Sequence, residues 1–222
     1  MSSSSTVTDS GARSGPQRGC LFVVSAPSGA GKTSLVRALI DREPELVFST
    51  SYTTRPKRPS EVEGRDYFFV DRARFDALVA DGELLEHAEV FGNCYGTGRS
   101  HVEALLKQGR NVILEIDWQG ARQIRTAMPD CRTIFVLPPS VPELERRLRG
   151  RSTDDEATIQ RRLAESSADL SHWPEFDYVI VNDDFDVALA QLTNVVRGAG
   201  EGQRSDNAEL RSIAAALCAT AA

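Results

Sequence analysis

The stretch Ala26-Pro27-Ser28-Gly29-Ala30-Gly31-Lys32-Thr33 is built to hold phosphate. Glycines at 29 and 31 let backbone N–H groups turn inward around phosphate oxygens. The helix that opens there offers its own unsatisfied N–H groups to the same anion. Lys32 then reaches the β- and γ-phosphates of a nucleoside triphosphate, Thr33 supplies a hydroxyl to Mg²⁺, and Ser34 completes the binding segment. Ala26 stands where the pattern customarily begins with glycine. The loop predicts nucleotide binding and is silent on what the phosphate is used for.

The elements around this loop have the order it needs. The apolar run Cys20-Leu21-Phe22-Val23-Val24 reads as a strand, and Leu35-Val36-Arg37-Ala38-Leu39-Ile40 has helical apolar spacing. Further strand-like runs lie at 111–116, 132–137 and 177–181. Helical stretches lie at 33–42, about 100–108, 119–128, 141–149, 154–172 and 184–196. Strand alternating with helix predicts an α/β fold: a parallel sheet flanked by helices. The interval 51–97 breaks the rhythm, with short strands at 66–70 and 83–88 around a helix at 71–80. It reads as an inserted small α+β lobe. Arginine is dense over 147–162, and two lobes flanking a P-loop core suggest a kinase that closes over two nucleotides.

Composition narrows the class. The chain has 222 residues, 41% hydrophobic and 26% charged, as in an ordinary globular protein. A net charge of −6 argues against a general nucleic-acid binder. No run approaches the length of a membrane span, and no signal-peptide core stands at the N-terminus. The four cysteines are far apart without metal spacing, so buried thiols in a reducing cytoplasm are expected. His87, His101 and His172 show no metal spacing either. Residues 1–18 read as a disordered tail, and Gly198–Gly202 as a flexible linker before a weakly amphipathic extension to residue 222.

Thr53-Thr54-Arg55-Pro56-Lys57-Arg58 opens the inserted lobe. With Ser51, Glu61-Val62-Glu63-Gly64-Arg65-Asp66-Tyr67, Gly92-Asn93-Cys94-Tyr95-Gly96-Thr97 and Leu114-Glu115-Ile116-Asp117-Trp118-Gln119-Gly120, it resembles the guanylate kinase family. Pro138-Pro139-Ser140 and Val179-Ile180-Val181-Asn182-Asp183-Asp184 continue the match in collinear order over about 19–197. The resemblance implies a P-loop NTPase core (19–50 and 98–197), a GMP-binding lobe (51–97) and an arginine-rich lid (about 138–162). It also implies Mg²⁺-dependent transfer from ATP to GMP, with these small molecules as partners.

Set against that chemistry, Arg55 and Arg58 are suited to grip the 5′-phosphate of GMP, with the hydroxyls of Tyr67 and Tyr95 completing the cradle. Guanine presents N1–H and an amino group as adjacent donors, and the family pattern places the carboxylate of Glu86 there. Ser51 and Thr97 can serve O6, and Asp117 the amino edge. Without the resemblance Glu86 reads as a surface-facing strand residue. The resemblance further places Arg147, Arg151 and Arg162 over ATP, Glu115 near a water of the metal, and Asn182 and Asp183 on the adenine side. Ser60 and Tyr52 depart from the family pattern, beside Glu61 and Ser51. The competing expectation is a catalytically silent module that binds phosphorylated peptides; retention of Lys32, Thr33, Glu115 and the lid arginines argues against it. A kinase acting on a sugar phosphate would have no use for a guanine-reading set.

Overall fold

The computed structural model describes residues 18–90, 92–150 and 156–221. The chain enters the core through β1 (Leu21–Ser25), α1 (Lys32–Arg42) and β2 (Leu46–Phe48). It then builds a lobe from β3 (Ser51–Thr53), β4 (Phe68–Phe69), α2 (Arg72–Ala80), β5 (Leu84–Val90) and β6 (Asn93–Gly98). It returns through α3 (Arg99–Lys107), β7 (Asn111–Glu115), α4 (Trp118–Ala127), β8 (Arg132–Leu137) and α5 (Val141–Arg149). The last elements are α6 (Glu156–Leu170), β9 (Tyr178–Val181), α7 (Phe185–Val196) and α8 (Ala208–Ala221).

The core sheet is parallel throughout, in the order β2-β7-β1-β8-β9. Its strands are apolar at nearly every position because both faces are covered. Phe22, Val24, Ile113, Ile134, Val136 and Ile180 pack under α1 and α7 through Leu35, Val36, Leu39, Leu189 and Leu192. Leu21, Val23, Val112, Leu114, Phe135 and Leu137 point the other way, onto Val102 and Leu106 of α3 and Ile124 of α4. With β7 on one side of β1 and β8 on the other, the loop after β1 opens at the carboxyl edge, where open α/β sheets bind ligands.

The lobe has its own sheet, in the order β4-β3-β6-β5, with β6 antiparallel to both neighbours. Its small core joins Phe75 and Leu78 of α2 to Leu84 and Cys94. Asp71 caps α2, accepting from the Arg74 N–H at 2.7 Å. Three strands here and at the core edge, β2, β3 and β6, lack a sequence signal. β2 and β3 have three residues each, too few for a period, and Asn93–Gly98 is polar and glycine-bearing; pairing on both sides makes β6 a strand. The strand expected at 66–70 contracts to Phe68–Phe69, which pairs with β3 in parallel.

The C-terminal segment corrects the sequence reading. Gly198–Gly202 is anchored rather than a free linker: Gly200 is buried, and the Ala199 N–H donates to the Asn194 carbonyl at 2.8 Å. Beyond it, the Ser205 N–H bonds the Asp177 carbonyl at 3.0 Å. α8 then buries Ala214 and Leu217 in the same cluster as Leu170, Trp173 and Phe176. Its weak amphipathicity concealed this because only Ala214 and Leu217 are buried, with Leu210, Cys218 and Ala221 packed beside them.

Candidate active site

β1 delivers the chain into a loop whose two glycines, Gly29 and Gly31, have φ of 91° and 93°. Gly31 caps α1 without any side-chain acceptor, which leaves the first-turn N–H groups available to an anion. The loop is held from behind. The Asn182 carboxamide donates to the Ala30 carbonyl at 2.7 Å, Arg147 Nη1 reaches that carbonyl at 3.4 Å, and the Ser166 hydroxyl donates to the Ser28 carbonyl at 3.2 Å. Because a trans peptide points its C=O and N–H in opposite directions, these supports turn the Gly29 and Gly31 N–H groups away from them.

Gly31 has no room for a side chain. A Cβ there would lie 2.3 Å from Asn182 Nδ2, and its φ is in the left-handed region. Gly31→Ala is therefore expected to cost about 1–3 kcal/mol of stability and to raise the KM for the triphosphate more than that for the acceptor. Thermal unfolding and steady-state kinetics check both.

At the first turn of α1, Lys32 Nζ donates to the Ile116 carbonyl at 2.8 Å. Burial pulls its pKa below the usual lysine range, while Glu115, Asp117 and Asp169 work the other way. The Thr33 hydroxyl donates to Glu115 Oε1 in a short hydrogen bond. Lys32, Thr33, Glu115 and Asp117 line one wall of a cavity of about 610 Å³. The facing wall comes from the lobe: Ser51, Arg55, Arg58, Tyr67, Glu86 and Tyr95.

Glu86 is buried, with 4% exposure, contrary to its bare sequence reading as a surface strand residue. Burial pushes its carboxyl up to about 7, against the opposing hydrogen bonds from Thr97; Asp117 adds to the rise. Arg55 pairs with Glu61 at 2.6 Å, and Glu61 also accepts the Arg58 N–H at 2.8 Å. That double hold keeps Glu61 ionised and raises the Arg55 pKa. The Arg55 guanidinium lies 5.4 Å from the Tyr67 ring, which meets Tyr95 edge-on at 6.0 Å.

Residues 18–199 of the chain are matched by the family model "Guanylate kinase". The chain belongs to the guanylate kinase family. It is 62% identical over 174 residues to the guanylate kinase of Alkalilimnicola ehrlichii, covering 78% of this chain and 86% of that one. The Escherichia coli guanylate kinase is 53% identical over 182 residues, 81% of this chain and 88% of that one. The crystal structure of guanylate kinase from Anaplasma phagocytophilum superposes with a TM-score of 0.68 at 35% identity, covering 89% of this chain and 94% of that one.

Within this guanylate kinase fold, Thr97 and Asn182 are turned toward protein partners rather than into the cavity. Thr97 is fully buried and does not line the cavity; its hydroxyl donates to Glu86 Oε1 at 2.7 Å. Asn182 is 5% exposed and turned into the phosphate loop rather than outward, and Asp183 is exposed beyond it. Asp184 is the cap of α7, accepting from Val187 at 3.0 Å. Arg147 is braced by Glu143 at 2.7 Å and by the Asn182 carbonyl at 3.1 Å. Arg162 is half-buried on α6, and Arg151 lies outside the described residues.

Both departures from the family pattern find places. Tyr52 packs on Phe68 with ring centroids 5.0 Å apart, in the lobe core and off the cavity. Ser60 sits inside a turn closed by the Glu61 N–H on the Arg58 carbonyl at 3.1 Å, and the Arg55–Glu61 pair forms with serine there. Glu61 itself escaped sequence reasoning as a functional group. It lies in a motif that carries the family resemblance, but an acid six residues after Arg55 in a proline-marked loop has no period to mark its role.

Proposed function

We propose that the cleft transfers the γ-phosphoryl group of ATP to GMP, giving ADP and GDP, as its family membership indicates. The observation that carries the reading is the single cavity lined on one side by Lys32 and Thr33 and on the other by Arg55 and Glu86. The acceptor is a phosphate oxygen already ionised at neutral pH, so the transfer needs no general base, and the cavity lining contains no histidine. A GMP phosphate oxygen forms the new bond to the γ-phosphorus as the bond to the β-bridging oxygen breaks. Positioning and charge neutralisation are what the protein must supply.

The segment Ala26 to Ser34 is assigned to the triphosphate through its backbone N–H groups, and Lys32 to the bridging charge. Arg55 and Arg58 are assigned to the acceptor phosphate, aided by the Tyr67 and Tyr95 hydroxyls. Glu86 accepts N1–H and the amino group of guanine, Ser51 serves O6 and Asp117 the amino edge. Thr97 acts through Glu86. Arg147 and Arg162, with Arg151, supply positive charge to the transferring group; Arg147 Nη1 is 3.9 Å from where a Gly31 Cβ would be. Asn182 supports the loop, with Asp183 beside it on the adenine side.

Among the described residues no group of three or more His, Cys, Asp or Glu is placed to hold an ion alone. The paired oxygens of Thr33 and Glu115 suit a hard cation shared with nucleotide phosphates and water, which is the habit of Mg²⁺. When bound, Mg²⁺ would neutralise charge on the phosphates, with Thr33 as ligand and Glu115 orienting a water. Cys20, Cys94, Cys131 and Cys218 are free thiols, which suits a reducing cytoplasm. Among the described residues no helix is long and apolar enough to cross a membrane.

A coupled assay of ADP release tests the assignment with ATP and a panel of nucleoside monophosphates. GMP should be preferred over AMP, CMP and UMP by at least about 10³-fold in kcat/KM, because a site that hydrogen-bonds groups its rivals lack can discriminate by about 10⁴–10⁵-fold. Comparable turnover of AMP would contradict it.

A further inference from the structure

We propose that Gln123 is a positioning residue for base recognition, holding β5 against α4 so that Glu86 presents its carboxylate at a set place. The proposal rests on the reading that Glu86 recognises guanine. β5 is the outer strand of the lobe sheet, paired with β6 alone. Its other edge would leave backbone groups open, and at His87 one side chain closes it. The His87 N–H donates to Gln123 Oε1 at 3.0 Å, and Gln123 Nε2 donates to the His87 carbonyl at 2.9 Å.

A carboxamide thus takes the place of a neighbouring strand's peptide, with a donor and an acceptor for one residue. No other side-chain type offers both groups at that reach. The bonded residue is the immediate neighbour of Glu86. The β5–β6 register slips between Leu84 and Glu86, so pairing with β6 leaves that part of the strand irregular. A second anchor on the opposite edge compensates.

The same helix face meets Glu86 directly. Gly120 lies three residues before Gln123, on one side of α4. A Cβ at Gly120 would be 2.9 Å from Glu86 Oε2, so the glycine gives the carboxylate its room while Gln123 fastens the strand that carries it. The helix begins at Asp117, another wall of the cavity, whose carboxylate accepts from the Gly120 N–H at 2.7 Å. α4 therefore sets three things about the base site: its wall, its clearance and the placement of its acceptor.

The test is steady-state kinetics of full-length Gln123→Ala, Gln123→Glu and Glu86→Gln, with GMP, AMP and ATP varied separately. Gln123→Ala should raise the KM for GMP about tenfold and lower the GMP-over-AMP ratio of kcat/KM about tenfold. The KM for ATP should stay within about twofold. Gln123→Glu keeps the acceptor but sets a carboxylate against the His87 carbonyl, and should resemble the alanine variant. If Gln123→Ala does not fold, Gln123→Asn, one methylene too short to span the strand, is measured in its place with the same expectations.

Unchanged GMP KM and base ratio in the folded variants, while Glu86→Gln shifts the ratio, would overturn the proposal and leave the Glu86 reading standing. Equal rises in the KM for GMP and ATP would also overturn it, because general loosening does not distinguish substrates. An unchanged ratio in Glu86→Gln would remove the underlying reading and this proposal with it.

Discussion

Lys32→Ala is expected to lower kcat by about 10²–10³-fold, the effect of removing one preorganised charge from a developing phosphoryl transition state, while the Kd for GMP moves less than about threefold. The asymmetry follows from position. Lys32 belongs to the first turn of α1 and hangs from the Ile116 carbonyl at 2.8 Å, whereas the lobe's Arg55, Tyr67 and Tyr95 face it across the cavity. Its ammonium is desolvated and balanced by Glu115, Asp117 and Asp169. Deleting it leaves those carboxylates without their cation, so the variant should also unfold at lower temperature. Lys32→Met keeps the packing of the stem and isolates the loss of charge. Stopped-flow or coupled kinetics give kcat, and calorimetric titration gives the Kd for GMP.

Glu86→Gln is expected to reduce kcat/KM for GMP by about 10²-fold or more while that for AMP changes little. A carboxylate meets the two adjacent donors of guanine with two acceptors. Glutamine meets one of them with a donor, and a buried unmatched pair of this kind costs about 1–3 kcal/mol. The buried carboxyl titrates near 7, so its ionised fraction rises across neutral pH. The KM of the wild-type protein for GMP should therefore fall between pH 6 and 8, and that of Glu86→Gln should lack this limb.

Stability carries the opposite sign. Between the ordinary carboxylate range and about pH 7 the folded protein keeps a proton on Glu86 that the unfolded chain has lost. Stability is favoured below the unfolded pKa and declines as pH rises through that window, by about 3 kcal/mol in total for a rise from 4.5 to about 7. Urea unfolding at several pH values should show this decline in the wild type and not in Glu86→Gln.

The phosphate loop was legible because three local signals coincide: an apolar run, glycines at the turning points and helical spacing after Lys32. The core strands were legible for the same reason, since a strand covered on both faces is apolar throughout. The lobe gave up less. Ser51, Arg55 and Tyr95 share a cavity wall only through pairings of Ser51 with Thr97 and Thr53 with Tyr95 across β3 and β6. Those contacts span more than forty residues and leave no period in the sequence.

Burial of Glu86 was equally hidden, because it depends on α4 closing over β5 from thirty residues downstream. The support roles of Asn182 and Glu61 were invisible for a related reason. Each holds a backbone or side-chain group far from itself in sequence or within an irregular loop. Family resemblance named these loops, but the hydrogen-bond partners of Thr97 and Asn182 emerge only from the structure.

The most direct measurement follows the labelled γ-phosphoryl group of ATP in a single turnover with an equimolar mixture of GMP, AMP, CMP and UMP. Label in GDP and in no other diphosphate, at a level that drops in Lys32→Ala and appears partly in ADP formed from AMP in Glu86→Gln, is the predicted result. Label distributed among the four diphosphates by the unaltered protein would contradict the account.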